Sequence, residues 1–319
     1  MPANTSFTLT YPVFAESLSD GPHTLLQFLQ LRYARMDEDE LKLWINSDQI
    51  KLDDQPAKPG TVLKPKQKVS VILPVHREDP VSVDWQIIWQ NDEIMAVYKP
   101  HLLPVSRTTR NLYNTLIQLV RRQTPHYDAH LLHRLDTETG GLILIAKDKA
   151  ADLKWKKQLN RLIERKVYRA RVYGDPIWQE TTLECELSEQ HNSAIRSQMY
   201  VVDPQQPELF SKPKQSKTHF KVLQHDRGSS RIECELFSGR KHQIRAHLAH
   251  LGYPIIGDKI YAYEGQYYLK RLDKGLNEAD FTALGGEYHQ LQASMLQIRP
   301  DPEQPPVVID ISDSYPLFE

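Results

Sequence analysis

Hydrophobic positions along this chain switch repeatedly between helical spacing and strand-like runs. Leu25, Leu26, Phe28 and Leu29 suggest a short helix, the acidic residues Asp37-Glu38-Asp39-Glu40 read as a turn, and Leu41, Leu43, Trp44 and Ile45 suggest a second helix. Apolar pieces at 61–63 and 69–73 read as strands separated by a lysine-rich turn. From Trp85 to Lys99 the pattern predicts a strand pair turning at Asn91-Asp92-Glu93. Leu112, Leu116, Leu119 and Val120 predict an amphipathic helix over 111–123, and Trp155, Leu159, Leu162 and Ile163 predict another over about 149–166. Between them Leu142-Ile143-Leu144-Ile145-Ala146 forms an unbroken apolar run with the look of a buried strand. Residues 167–174 alternate, with Tyr168, Ala170 and Val172 on one face and Arg169 and Arg171 on the other. Residues 218–223 and 231–237 predict a hairpin. Ile244, Leu248 and Leu251 give a helical stripe that Gly252 stops, and a last strand is expected over 291–298 after an irregular, tyrosine-rich region at 262–288.

Many strands joined by hairpins, with few helices, point to an α/β fold of the α+β kind. We expect a mixed, mainly antiparallel sheet with flanking helices, not a doubly wound parallel one. Residues 1–20 read as an extended lead-in, 21–76 as a small α/β module, 77–86 as a linker and 87–319 as the main domain. The order of elements in 21–76 is similar to the αL RNA-binding module. That module usually carries basic residues on its second helix, where this chain is acidic, so a structural role or a modest RNA contact is expected.

Length and composition fit two soluble units: 319 residues, 40% hydrophobic and 25% charged. No apolar run approaches a membrane span, and the first residues lack the layout of a signal peptide. Cys185 and Cys234 are the two cysteines, and two thiols without close spacing make neither a disulfide framework nor a zinc site, which fits a reducing cytoplasm. The net charge of −1 argues at first against a nucleic-acid partner, but its distribution reverses that reading. Residues 94–175 carry sixteen basic and seven acidic side chains, whereas 1–93 carry nine and fourteen. The positive charge is local, as a phosphate-binding surface requires, although a solvated helix face would look the same.

The stretch with the most chemistry lies inside that basic region. His133-Arg134-Leu135-Asp136-Thr137-Glu138-Thr139-Gly140-Gly141 sets a lone acid before a glycine pair and the apolar run. Asp136 is either a turn residue, since Asp, Thr and Gly are turn vocabulary, or a nucleophile or base at the mouth of a strand. Arg245 sits away from the Ile244–Leu248 stripe. If buried it needs a carboxylate, for which Asp136 is the candidate; a phosphate or surface contact is the alternative. His242, His247 and His250 lack an accompanying acid or cysteine, so no metal site is expected.

Taken together these segments resemble the RluA-type pseudouridine synthases. His133-Arg134-Leu135-Asp136 with Thr139 and Gly141 is similar to the family's HRLDxxTSG segment. Residues 166–174 resemble K-x-Y-x-A-x-V-x-G, and 238–248 resemble TGRTHQIRVHL. Lys99-Pro100 with Leu103-Pro104-Val105 resembles KPxGLPV, and 291–300 the closing strand. Gly140 departs from the family's Ser, His101-Leu102 from its small residues, and Ser238 and Lys241 from two Thr.

The resemblance implies isomerisation of a uridine in rRNA or tRNA without a cofactor, in a central RNA-binding cleft crossing the sheet. It implies Asp136, Tyr168 and Arg245 as catalytic residues: Asp136 acting on the sugar, Tyr168 stacking on the base, Arg245 partnering the aspartate. Arg134 would brace the flipped-out state, and His133, Lys154, Lys157, Arg169, Arg171, Arg240, Lys241 and His242 are expected RNA contacts. The glycine pair is expected to let RNA approach closely. RNA is the expected partner of a cytoplasmic monomer, with neither membrane nor metal. Two other readings stay open: a non-catalytic RNA-binding or assembly factor on the same fold, and a glycosidase using Glu138 as a second acid.

Overall fold

The computed structural model describes residues 7–19, 21–74 and 76–317. Its N-terminal part is built from β1 (Phe7–Pro12), α1 (Glu16–Ser19), α2 (Leu25–Arg32), α3 (Glu38–Asn46), β2 (Ile50–Leu52), β3 (Gln55–Pro56) and β4 (Lys68–Leu73). The strands form a four-stranded sheet in the order β1-β4-β2-β3. The expected lead-in, where described, thus supplies an edge strand: β1 pairs antiparallel with β4 from Phe7↔Leu73 to Pro12↔Lys68. Residues 1–6 and 20 of that lead-in lie outside the described residues. The apolar piece at 61–63 makes only an isolated bridge, Thr24↔Val62, and strands form at 50–52 and 55–56 instead.

The acidic run at 37–40 starts a helix and is not a free turn. Asp37 accepts from the Glu40 backbone N–H at 2.7 Å while the Glu40 carboxylate accepts from the Asp37 N–H at 3.2 Å, a reciprocal cap. The remaining acids face the positive end of the helix dipole. Leu25, Phe28, Leu29, Leu41, Ile45 and Val71 are buried in a core of this unit's own.

The segment expected as a linker is tied down. Glu78 accepts from the backbone N–H groups of Leu112, Tyr113 and Asn114 at 2.7–2.9 Å, and its side chain is 1% exposed. Phe7, His76 and Tyr113 pack as a ring cluster beside it, so the small sheet is docked against the larger unit.

The larger unit continues with β5 (Gln86–Gln90), β6 (Ile94–Lys99), α4 (Leu116–Gln123), β7 (His130–Leu131), β8 (Gly140–Ala146), α5 (Lys149–Lys157), α6 (Leu159–Leu162) and β9 (Ile163–Tyr173). It is completed by β10 (Glu180–Ser188), β11 (Tyr200–Val201), β12 (Lys214–Asp226), β13 (Ser229–Leu236), α7 (Gln243–His250), α8 (Gln266–Asp273), α9 (Glu278–Ala283), β14 (Leu291–Ile298) and β15 (Val307–Asp310). The sheet runs β11-β10-β12-β13-β9-β14-β8-β6-β5, with β15 on β14 and β7 on β8. The mixed, mainly antiparallel expectation holds. Among the described strands the parallel pairing is β14 with β8, at Gln292↔Gly140 and Ala293↔Gly141.

The helix expected over 149–166 breaks earlier. α5 ends at Lys157, α6 covers one further turn, and Ile163 already opens β9. Tertiary pairing of β9 with β14, from Ile298↔Ile163 onward, overrides the apolar helical spacing there. The 262–288 region also holds two short helices that its composition did not suggest.

The apolar run of β8 is buried throughout, and its alternation explains why. Ile143 and Ile145 face one core with Leu116, Val120, Ile244 and Leu248, while Leu142, Leu144 and Ala146 face another with Trp155 and Leu162. Helices cover the sheet on both faces here, so this strand needs no polar side.

Candidate active site

At the mouth of β8 the chain turns through residues 133–139 into a cleft of about 1200 Å³. Asp136 sits in that turn with its side chain 32% exposed, and α7 lies opposite. Arg245 of α7 is 6% exposed and donates from Nη1 to Asp136 Oδ2 at 2.8 Å. The sequence expectation of an Asp136–Arg245 contact is therefore met in geometry, with one difference. The two-pronged contact goes to Asp258: Arg245 donates from Nε at 2.6 Å and from Nη2 at 2.9 Å. Asp258 is fully buried and also accepts from the backbone N–H of Ile260 and Tyr261 at 2.9 and 3.1 Å.

A guanidinium between two carboxylates has a clear electrostatic result. Burial works to raise the Asp136 carboxyl, but Arg245 outweighs it and holds the group below the usual carboxylate range. Asp258 behaves likewise, and the same contacts raise Arg245 well above its ordinary value despite burial. Asp136 is thus an ionised carboxylate, partly open to the cleft, fixed from behind by a buried arginine.

Tyr168 lines the same cleft from β9 and is 8% exposed. Burial, and then the charge of Asp136, raise its hydroxyl above the ordinary tyrosine value, so it stays protonated. His242 stands at the N-terminus of α7 in the left-handed conformation, φ 55°, a costly geometry for a residue with a Cβ. Its ring lies 3.8 Å from Asp136 and 3.1 Å from the Tyr261 hydroxyl, and burial followed by Arg245 pushes its pKa to about 4. It is a neutral imidazole at pH 7.

The remaining expected contacts divide. His133, Arg134, Arg240 and Lys241 line the cleft. Arg134 is exposed at its mouth. His133 faces inward instead: its Nε2 accepts from the Leu144 N–H at 3.0 Å, and burial pushes its pKa down to about 3. It holds the turn onto β8, which leaves it little to offer RNA. Lys241 is paired with Glu189 at 2.7 Å.

Lys154, Lys157, Arg169 and Arg171 do not line the cleft. Arg169 and Arg171 share the strand with Tyr168 but lie on its other face, where Arg171 donates to Ser229 at 3.2 Å. Lys154 is engaged with both oxygens of Glu93 at 2.7 Å. In their place the cleft presents Arg107, Lys166 and Lys156, the last paired with Asp152 at 2.7 Å, which charge counting alone could not single out.

Sequence reasoning also missed the frame behind the turn. The Lys99 ammonium, 0% exposed, donates to the carbonyls of Pro100, Leu103 and Thr137 at 2.8, 2.9 and 3.1 Å. Glu138 is held by Lys259 at 3.0 Å through both oxygens, with Arg271 at 3.4 Å. It is a structural acid and not a free second carboxylate. Thr139 bonds the buried His289 at 2.7 Å. Asp258 and Lys99 carried a readable signal, since a buried arginine needs an acid and a lysine inside an apolar strand needs acceptors. His289 and Lys259 carried none, because their roles depend on distant parts of the chain meeting.

The glycine pair serves the protein's own packing. Gly141 has φ +106°, and a Cβ there would lie 2.2 Å from the Ala293 carbonyl oxygen where β14 runs parallel to β8. A Cβ on Gly140 would meet the His101 ring at 2.6 Å. The expectation that these glycines admit RNA is replaced by close approach of strand and ring.

Among the described residues no helix is long and apolar enough to cross a membrane, and no group of three or more His, Cys, Asp or Glu could hold a metal ion.

Residues 93–250 match the family model described as RNA pseudouridylate synthase. The dual-specificity RNA pseudouridine synthase RluA of Vibrio parahaemolyticus is 30% identical over 64% of this chain and 80% of its own length. The ribosomal large subunit pseudouridine synthase D of Neisseria meningitidis is 30% identical over 69% of this chain and 59% of its own length. The structure of human RNA pseudouridylate synthase domain containing 1 covers 73% of this chain and 85% of that one, with a TM-score of 0.55 at 24% identity, a likeness of fold. The matched span carries the Asp136 turn, the Tyr168 strand and the Arg245 helix, and the chain therefore belongs to the RluA-type family of RNA pseudouridine synthases.

Proposed function

We propose that this enzyme isomerises a uridine of ribosomal or transfer RNA, and that Asp136 is the group that acts on the ribose. The observation that carries the assignment is the partly exposed Asp136 carboxylate, held ionised in the cleft by the buried Arg245 at 2.8 Å. Breaking the bond between uracil N1 and the ribose builds positive charge on the sugar, and a fixed carboxylate stabilises or captures it. Attack on the sugar carbon and abstraction of a sugar proton both start from that ionised form. The detached uracil then turns and bonds to the sugar through C5, C5 gives up its proton and N1 takes one up, so no atom is gained and none lost overall.

The target base must leave its stack to reach the cleft, which costs a few kcal/mol for a paired base. Arg134, exposed at the mouth, is suited to bracing the vacated position. Tyr168 offers a ring face for the uracil and a protonated hydroxyl as a donor. Arg107, Lys156, Lys166 and Arg240 supply the positive charge that holds a phosphate backbone without reading sequence. The relatives' names point to large-subunit ribosomal RNA as the first substrate to try.

The test uses ribosomal and transfer RNA prepared without this enzyme, incubated with the wild type or Asp136→Asn, followed by chemical mapping of pseudouridine. The amide still accepts from Arg245, so the fold is kept while the charge is removed. At least one uridine should convert with the wild type and convert at least about 100-fold more slowly with the variant. An unchanged map would remove Asp136 from its role, and release of free uracil would favour a glycosidase.

A further inference from the structure

At one place where this chain departs from its family's motifs, a neighbouring side chain fills the space. Gly140 replaces the usual Ser, and a Cβ built on Gly140 would lie 2.6 Å from His101 Nε2 and 2.9 Å from Cδ2 and Cε1. Nothing in the backbone requires glycine there, since only Gly141 of the pair has a positive φ. The three nearest atoms to the missing Cβ all belong to the histidine ring. Gly140 is a glycine because of His101.

The ring is also bonded into the catalytic turn. His101 Nδ1 lies 2.7 Å from the carbonyl oxygen of Glu138, which can only accept, so Nδ1 carries the proton. Its face stacks on Tyr288 with centroids 4.1 Å apart and planes at 15°. The Tyr288 carbonyl oxygen in turn would lie 2.1 Å from a Cβ on Gly257, the neighbour of Asp258. One face of the contact therefore reaches the turn that carries Asp136. The other reaches the segment that carries the arginine's buried anchor.

We propose that His101 is a positioning residue for Asp136, acting through the Glu138 carbonyl and the Tyr288 stack, and that Gly140 is its obligate companion. This rests on Asp136 being the group that acts on the sugar. A side chain at 140 and the ring at 101 cannot share this space, so a change at 140 requires a change at 101.

The test is a set of full-chain variants assayed for pseudouridine formation at saturating RNA, each with its Tm. Gly140→Ser alone should lower kcat at least about tenfold with KM for RNA within about twofold, because a displacement of a fraction of an ångström at a catalytic carboxylate acts on the chemical step. Adding His101→Gly to it removes the clash and should recover most of the Tm, while kcat stays about tenfold down because the donor to Glu138 is gone. His101→Asn, which keeps a donor at the Nδ1 position, should stay within about threefold of wild type, whereas His101→Phe, which keeps the ring and loses the donor, should lose about tenfold.

A purely structural role would move Tm across the set and leave the kcat of the folded variants unchanged, and that result would overturn the proposal. So would a fully active Gly140→Ser, or a double variant no more stable than the single one. If Gly140→Ser does not fold, recovery of folded protein on adding His101→Gly supports the pairing, and failure to recover sinks it. The Asp136→Asn control separates the two readings. An active wild type with an equally active Asp136→Asn removes the assignment of Asp136, whereas a dead Asp136→Asn beside a fully active His101→Phe removes only the positioning role.

Discussion

Asp136, Arg245 and Asp258 form a line of alternating charge in which only the first carboxylate meets the cleft. Removing the buried end should therefore show in stability first. Asp258→Asn leaves a buried guanidinium without its two-pronged partner and is expected to cost about 3–5 kcal/mol, measured by denaturant unfolding. The acid limb of kcat/KM follows from the same contacts. Because Arg245 depresses the Asp136 pKa, the carboxylate stays ionised until the pH falls below the ordinary aspartate value of about 3.9, and the activity of folded enzyme should fall only as pH drops through that lowered pKa. A pH–rate profile limited to conditions where the protein stays folded checks this. A limb near pH 6 in folded protein would contradict it.

At the level of elements, two contacts carry most of the arrangement. The parallel approach of β14 to β8 requires a residue without Cβ at 141, so Gly141→Ala combines a backbone clash with a left-handed φ. It is expected to destabilise by more than about 4 kcal/mol and to appear as loss of soluble, folded protein. The second contact joins the two units. Glu78 takes three backbone N–H groups just before α4, and Glu78→Ala leaves all three donors without their acceptor. A loss on the order of 2 kcal/mol is expected, seen as faster proteolytic cutting between the small sheet and β5 while the larger unit stays resistant. Within the N-terminal unit the acids of 37–40 cap and begin helix α3.

The whole molecule holds an unusual load of neutral histidine. Burial pushes His133 to about 3 and His101, His242 and His247 to about 4, and it drives His289 well below its ordinary value. Each has a folded pKa below its unfolded value of about 6.5. The stability this contributes is fully present above pH 6.5 and is lost as the pH falls toward the folded pKa, because the unfolded chain binds the proton first. Each histidine adds a slope of up to about 1.4 kcal/mol per pH unit. Unfolding near pH 5 should therefore take up several protons through these histidines, whereas at pH 8 they take up none, measurable from denaturant midpoints across that range. Acid inactivation should begin by unfolding near pH 5–6, well before Asp136 is protonated.

Local pattern determined much of this protein. The buried strand β8 was legible because five consecutive apolar residues suit a strand covered on both faces, and the face of Tyr168 followed from simple alternation. The Asp136 turn, the Tyr168 strand and the Arg245 helix were recognisable as ordered segments because each keeps its chemistry within a few residues. What tertiary structure decided was every role that depends on distant segments meeting. Asp258 took the two-pronged contact with Arg245, leaving Asp136 a single one, because the chain after α7 brings Asp258 behind the arginine. Glu138 became a buttress once Lys259 arrived from 121 residues away. Lys154, Arg169 and Arg171 fell outside the cleft because charge counts carry no direction, whereas strand faces and local acids do. The glycine pair looked like access for RNA and proved to be room for β14 and for His101, since a missing side chain shows its reason only when the neighbour that needs the space is in place.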